Sequence, residues 1–589
     1  MKALDWMIVA AYCAFMLVIG VAFARRAGAS MESYFIAGRK LPWWVLGFSA
    51  AATYSGAGAA PAFTMFVFRY GLVGNWWWWL SFAIWMPLVA VIWSKMWRRL
   101  RIVTTAEFIE ARYGGKEARV FRGIYAVFMS FGWAVLLNGY VMGWLIRAMA
   151  PVFHWTDLQV ILFATGLILI YCTLSGFLGV VYSDVVQFLI FLGGNLVLIP
   201  VILHKVGGLS FVYEQVVLRR GAEFFHSLPP HGELGLMTLL LLVVQGLFFA
   251  SSPAAGEGYT AQRFMGARNE FHAQTGQLFN AFMTLIVRVV PFLFLGLIGA
   301  AILPVSTTDP DSVWGILVAR FSVPGLTGIL VAAELAAFMS TIDTHVNWGS
   351  SFLINDLYRK FIKREASEGH YVFVSRAATA GILVLSVLVG YFLVEEMMAW
   401  FLFINSVVVA FILPLSWLRF FWWRHNIYRE AAALIIGLPL SYIVWFPLGF
   451  SQPDKHPFWH GFLLLFSLGW VVIVSADLLT RPESREKLRE FYRKCRPPGL
   501  WGPVAQEIEP EKAGERRKET GRDAVDCVLG SVCCLCSVAG LAALFGKQML
   551  VFSIAGLVSL GSGSLFLVRW RERGIFRSLG KPLVFFDRS

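Results

Sequence analysis

The chain has 589 residues, 58% of them hydrophobic and 15% charged, with a formal net charge of +14. Apolar runs of about 20 residues recur along nearly its whole length, each able to cross a hydrocarbon core of roughly 30 Å, which excludes a soluble multidomain protein and predicts an all-α polytopic membrane protein with about 15 spans. The basic residues lie in short loops between these runs, so the charge sets membrane topology and does not point to a nucleic-acid partner.

The first run, Leu4 to Phe23, has no preceding basic region and no clear cleavage site, and reads as a retained span. Arg25, Arg26, Arg39 and Lys40 follow it, Lys95, Arg98, Arg99 and Arg101 follow the third span, and Arg359, Lys360, Lys363 and Arg364 follow the ninth. By the positive-inside rule these loops are cytoplasmic, with the amino terminus outside and the carboxyl terminus inside. The external segment from His204 to Glu233, with Lys205, Arg219 and Arg220, runs against that trend.

From Ser33 to Gly71 the sequence changes character. Thr53, Tyr54, Ser55, Gly56 and Gly58 lead to Pro61, which removes a backbone donor and crowds the preceding turn, so the helix is predicted to break near Ala52 to Gly58. Irregular backbone at membrane depth is tolerated where it is buried in protein or lines a cavity; the alternative is that the small residues only let helices pack closely. The next span opens with four tryptophans, Trp76 to Trp79, expected to serve mostly as interfacial anchors. Thr104 to Gly115 reads as a short surface helix. Further on, Asp184 stands in apolar sequence, fitted either to an ion path or to an interfacial cap.

A second interruption, with Ser251, Ser252, Pro253, Gly256 and Gly258, follows the apolar helix that starts near Leu239. Two interrupted helices about 200 residues apart point to inverted repeats with a binding site at their interface. Between Gly325 and Lys360 a long helix places Ala337, Ser340, Thr341 and Thr344 on one face, at about 100° per residue. Such hydroxyls can bind a small hard cation together with freed carbonyls, or can simply bond back to the preceding turn. Arg288 and Glu334 lie inside apolar runs: they either pair with each other, or Arg288 meets a substrate carboxylate or Glu334 relays a proton. Spans at Met397 to Trp422, Ala431 to Phe450 and Phe462 to Leu479 come next. Arg481 to Arg522 is charged and reads as a solvated linker, and two last spans lead to a basic tail. The seven cysteines give no disulfide framework; Cys533, Cys534 and Cys536 crowd one late span and read as small packing residues. No nucleophile, metal cluster or paired-acid constellation indicates an enzyme.

Four segments carry a pattern in order: SYFIAGRKLPWWVLGFSAAATYSGA from Ser33, YCTLSGFLGVVYSDVVQF from Tyr171, TAQRFMGAR from Thr260 and AAFMSTIDTHVNWGSSFLINDLYR from Ala336. With them the first 480 residues or so resemble the sodium:solute symporter family. The resemblance implies a leucine-transporter-like core of two inverted five-helix repeats, spans two to eleven, and alternating access. It divides the chain into an extra first span (1–30), the core (31–425), two added spans (426–480), a cytoplasmic linker (481–522) and a two-span extension (523–589). It implies sodium as the co-transported ion, held by the carbonyls of Ala52, Ser55 and Ala337 and the hydroxyls of Ser340 and Thr341, with Asp184 on the sodium exit path. Candidate solute contacts are Tyr54, Trp78, Asn138, Tyr140, Glu257, Tyr259 and Arg288; Trp78 stands where sugar-carrying relatives use an acid, and Glu257 where they use an amide, which counts against a sugar. Import of a small polar organic solute is the implied activity, and a sensor that binds solute without transport is the alternative.

Overall fold

The computed structural model describes residues 1–153, 155–230, 234–250, 252, 256–392, 413–450 and 456–574. Among these it is helical. In order come α1 (Ala3–Ala27), α2 (Trp43–Thr53), α3 (Ala59–Tyr70), α4 (Leu72–Leu100), α5 (Gly115–Phe153), α6 (Asp157–Thr173) and α7 (Gly176–Val206). After them stand α8 (Leu236–Phe249), α9 (Tyr259–Gly266), α10 (Glu270–Ile302), α11 (Leu326–Ile362), α12 (Glu368–Phe392) and α13 (Leu413–Phe421). The chain continues through α14 (Ile427–Trp445), α15 (Trp459–Leu479), α16 (Arg485–Cys495), α17 (Pro510–Phe545) and α18 (Met549–Glu572).

Eleven described helices are long and apolar enough to cross a membrane. Shorter apolar helices, α6 and α8, stand beside them, and α2 and α3 are separate short helices. Positions 397–412 of the span at Met397, Ser251 and Pro253 of the second interruption, and the basic tail from 575 lie outside the described residues.

Helix α11 is the axis of the bundle. It is buried almost throughout from Leu326 to Ser351 and packs against α7, α1, α12 and α5. Its first turn is capped from α1, where Asp5 Oδ1 accepts the backbone N–H groups of Gly325 (2.7 Å) and Gly328 (2.9 Å), a carboxylate placed at the positive end of the helix. The turn from α6 into α7 needs Gly176: its φ is +54°, and a Cβ there would stand 2.8 Å from Tyr34 Cδ2.

Three expectations are corrected by the packing. Trp76, Trp78 and Trp79 are buried in protein and do not anchor at a membrane interface, because α4 is covered by α8, α10 and α17. The charged segment after α15 is exposed along most of its length, but part of it docks on the bundle. Helix α16 buries Leu488, Phe491 and Cys495, and Trp501 donates to the Phe420 carbonyl at 2.6 Å. Burial pushes the Cys495 thiol up to about 12. Thr104 to Gly115 likewise differs from a surface helix: its helical turn Glu107–Arg112 buries Phe108, Ile109 and Arg112, and Arg112 donates to the carbonyls of Arg419, Trp422, Trp423 and His425.

The carboxyl-terminal pair α17 and α18 packs on α4 as well as on itself. At one end Asp523 binds both Lys95 and Arg573, and Arg569 reaches Asp526 at 2.5 Å. At the other end Ser227 Oγ donates to Gln548 Oε1 at 2.5 Å, and the Tyr213 hydroxyl donates to the Phe545 carbonyl. Among the described residues no group of three or more His, Cys, Asp or Glu side chains is placed to hold a metal, the late cysteine cluster included.

Candidate functional site

The break predicted between Ala52 and Gly58 separates α2 from α3, and α11 passes directly beside it. Thr341 Oγ1 donates to the Thr53 carbonyl at 3.0 Å, with its own Ala337 carbonyl at 3.2 Å. Gly56 makes that approach feasible: a Cβ at this position would lie 2.6 Å from Thr341 Oγ1. Oxygens from two helices therefore converge where the α2 ladder ends and carbonyls lose their helical partners.

The expected cation oxygens are close together but engaged. Ala52, Ser55, Ala337, Ser340 and Thr341 are all buried. The Ala52 carbonyl accepts the Ser55 N–H at 2.8 Å, and the Ser55 hydroxyl turns back to the Ala51 carbonyl at 2.6 Å. Ser340 Oγ donates to Asp184 Oδ1 at 2.5 Å, while Ser49 Oγ donates to Asp184 Oδ2 at 2.5 Å. Asp184 thus faces α11 and α2 from α7 and is no interfacial cap. In this arrangement Thr53, and not Ala52 or Ser55, presents its carbonyl to Thr341.

The residue that organises this cluster escaped the sequence reading. Arg263, on α9, donates from Nε to Ser49 Oγ (2.9 Å) and from Nη2 to Thr53 Oγ1 (2.6 Å) and Thr344 Oγ1 (3.1 Å). Nη2 also lies 3.3 Å from Asp184 Oδ2. The motif TAQRFMGAR contains it, yet an arginine on a short amphipathic stretch carries no local sign of burial. Asp343, one turn along α11, accepts from the Tyr171 hydroxyl.

The predicted solute contacts divide into three groups. Tyr54 and Tyr259 come together, with ring centroids 5.8 Å apart, and the Tyr54 hydroxyl is 2.8 Å from Thr260 Oγ1. Arg288 and Trp78 form a second group at the same break. The guanidinium bonds the Tyr54 carbonyl and lies 4.6 Å from the Phe63 ring and 5.2 Å from the Trp78 ring. The others are held elsewhere. Asn138 Oδ1 is 2.9 Å from His345 Nδ1, and its Nδ2 donates to Ser386 Oγ at 3.1 Å. Tyr140 packs near Trp144, with ring centroids 6.3 Å apart. Glu257 is committed to an ion pair: Arg419 Nη1 lies 2.5 Å from Oε1, and Ser416 Oγ donates to Oε2 at 2.6 Å. Arg419 also binds Glu430, which accepts from the Tyr113 hydroxyl at 2.7 Å.

The ion pair between Arg288 and Glu334 does not form. Arg288 turns to the Tyr54 carbonyl and the rings, and both Glu334 oxygens are buried without a hydrogen-bond partner among the described residues. The two side chains sit on α10 and α11, and hydropathy could locate each charge but not its direction.

Comparison with known proteins fits this geometry. Residues 34–437 match the family described as Sodium:solute symporter family. The chain is 25% identical over 514 residues to a sodium/glucose cotransporter of Vibrio parahaemolyticus, an alignment covering 81% of this chain and 90% of that protein. It is 26% identical over 494 residues to the high-affinity proline transporter PutP of Bacillus subtilis, covering 81% and 98%. With mouse sodium/glucose cotransporter 4 the identity is 25%, over 65% of this chain and 59% of the relative, so the chain spans about three fifths of that protein's length. In structure it resembles a Na+-coupled sialic acid symporter solved in a substrate-bound outward-open state, with a TM-score of 0.69, 20% identity, and coverage of 82% of this chain and 99% of the other.

Proposed function

The chain belongs to the sodium:solute symporter family, and from that premise we propose that it is a sodium-coupled symporter importing a small polar organic solute across a cell membrane. Two five-helix repeats of inverted topology, α2–α3 through α7 and α8–α9 through α13, rock about a site at their interface. The amino terminus lies outside and the carboxyl terminus inside, as the placement of basic loops favours. Sodium binds between the break and α11, using the Ser340 and Thr341 hydroxyls and carbonyls of Ala52, Ser55 and Ala337.

The observation that carries this reading is the contact of Thr341 with the broken end of α2, 3.0 Å from the Thr53 carbonyl. An uncharged cage divided between two elements binds a monovalent ion when they close and loses it when they part, which is how an ion biases one state over another. In the present arrangement Ser340 and Thr341 are occupied by Asp184 and Thr53; a shift of α2 relative to α11 turns the same hydroxyls towards an ion. Asp184, beside Ser340 and partnered by Arg263, then receives the ion on its way out. Tyr54, Trp78, Tyr259 and Arg288 form the solute side of the break, and Asn138, Tyr140 and Glu257 join it through rearrangement of their present partners.

Uptake of a labelled metabolite panel into proteoliposomes tests this reading, with and without an inward sodium gradient. Gradient-dependent accumulation that Ser340→Ala/Thr341→Ala weakens, by raising the sodium it requires, supports symport. Binding without accumulation under any gradient overturns it in favour of a sensor that signals through the docked α17–α18 pair.

A further inference from the structure

Four arginines are buried below 2% exposure among the described residues: Arg112, Arg263, Arg288 and Arg429. Arg263 has Asp184 and Arg429 has Asp477. Arg112 has no acid but directs its guanidinium at four carbonyls. Arg288 has neither an acid nor a ring of carbonyls. Among the described residues its single hydrogen bond runs from Nη1 to the Tyr54 carbonyl, and Nε has no partner.

The local backbone aims this side chain at the break. Met283–Val287 forms a wide turn of α10, closed by the Arg288 N–H on the Met283 carbonyl at 2.9 Å. The extra residue of a wide turn swings the next side chains out of helical register, and such turns gather at functional sites. Phe63 of α3 and Trp78 of α4 then flank the guanidinium. Beside Trp78, Asn75 accepts the indole N–H at 3.2 Å, and its own buried Nδ2 has no partner among the described residues. The groups left unmatched here are donors.

A guanidinium stays ionised in proteins, and aromatic faces offset only part of the cost of removing it from water. With Nη1 engaged, the Nε side of the planar fork is the edge to which a carboxylate binds with two parallel hydrogen bonds. We propose that Arg288 anchors the solute, and that the solute is an organic acid whose carboxylate supplies the missing counter-charge. This inference rests on the symport reading above and names the substrate class of the same site.

The test pairs acids with their uncharged isosteres. Acetate, propionate, pyruvate and phenylacetate are each compared with the corresponding amide, on the full-length protein in saturating sodium, by ligand-induced melting shift and by sodium-driven uptake. At least one acid is expected to bind about tenfold to a hundredfold more tightly than its amide, the range given by a charge-assisted hydrogen bond. Arg288→Gln removes that preference, and Arg288→Lys keeps it at reduced affinity because the ammonium lacks the planar fork. Equal binding of acid and amide by the native protein overturns the proposal, whether or not either variant folds. Nitrate competing as well as the best acid also overturns it. Sodium-driven uptake of a neutral solute that Arg288→Gln leaves unchanged removes the anchor and leaves symport standing. An acid preference in binding with no sodium-driven uptake of any member keeps the anchor and removes symport.

Discussion

Arg263 and Arg288 approach the break between α2 and α3 from neighbouring helices, α9 and α10. Arg263 is matched by Asp184 and by the oxygens of Ser49, Thr53 and Thr344; Arg288 meets one carbonyl and two aromatic faces. Both carry the same charge into the same region. The difference teaches that a buried cation's role depends on what balances it: the first ties α9, α2, α7 and α11 together in the protein by itself, and the second keeps capacity for something that arrives.

The largest effect is expected where balance is removed. Asp184→Asn leaves Arg263 buried without a counter-charge and lowers stability by about 3–5 kcal/mol, read as a fall in melting temperature in detergent. Adding Arg263→Gln in the same chain recovers part of the loss, because the uncompensated charge goes with it. If Asp184→Asn costs no more than Arg288→Gln, the contrast between the two arginines is broken.

A second pair sets the scale. Lys95→Met removes one of the two cations on Asp523 while Arg573 remains, so the cost should be about 1–3 kcal/mol, that of lost charge-assisted hydrogen bonds. The same melting experiment reads it, together with the release of α17 from α4.

Ser340→Ala/Thr341→Ala sharpens the comparison from the ion's side. These hydroxyls lie beside Arg263, yet their removal deletes no charge. Stability should fall by less than in Asp184→Asn, while the sodium concentration for half-maximal uptake rises at least about tenfold, the scale of a lost cation-binding group. A titration of uptake rate against sodium checks it.

The smallest change in stability is expected at Arg288 itself. Arg288→Gln removes an unpaired buried charge along with one hydrogen bond, and these opposing terms leave the melting point within about 1 kcal/mol of the native protein. A loss as large as that of Asp184→Asn would show Arg288 to be a structural brace.

Much of the site was legible in the sequence because its signals are local. Gly56, Gly58 and Pro61 announce the break wherever α2 and α3 pack, and the spacing of Ala337, Ser340, Thr341 and Thr344 fixes one face of α11. Other expectations failed for reasons of context. Trp76 to Trp79 look like interfacial anchors until α17 covers α4. Arg481 to Arg522 looks solvated because its charges dominate its composition, although α16 turns Leu488 and Phe491 inward. Glu257 offers a carboxylate to a solute only until Arg419 is brought to 2.5 Å from it.

The sequence by itself determined that this chain crosses a membrane many times, where α2 gives way to α3, and which hydroxyls share a face. Those properties depend on runs of adjacent residues and on backbone propensity, and they survive any choice of packing. The tertiary structure alone decided which charges balance which. Arg263 meets Asp184 across 79 residues of chain, Arg419 meets Glu257 across 162, and Arg288 meets no acid among the described residues. The energy of a buried charge depends on the distance to its counter-charge and on the medium between them. Neither quantity exists until the helices are packed.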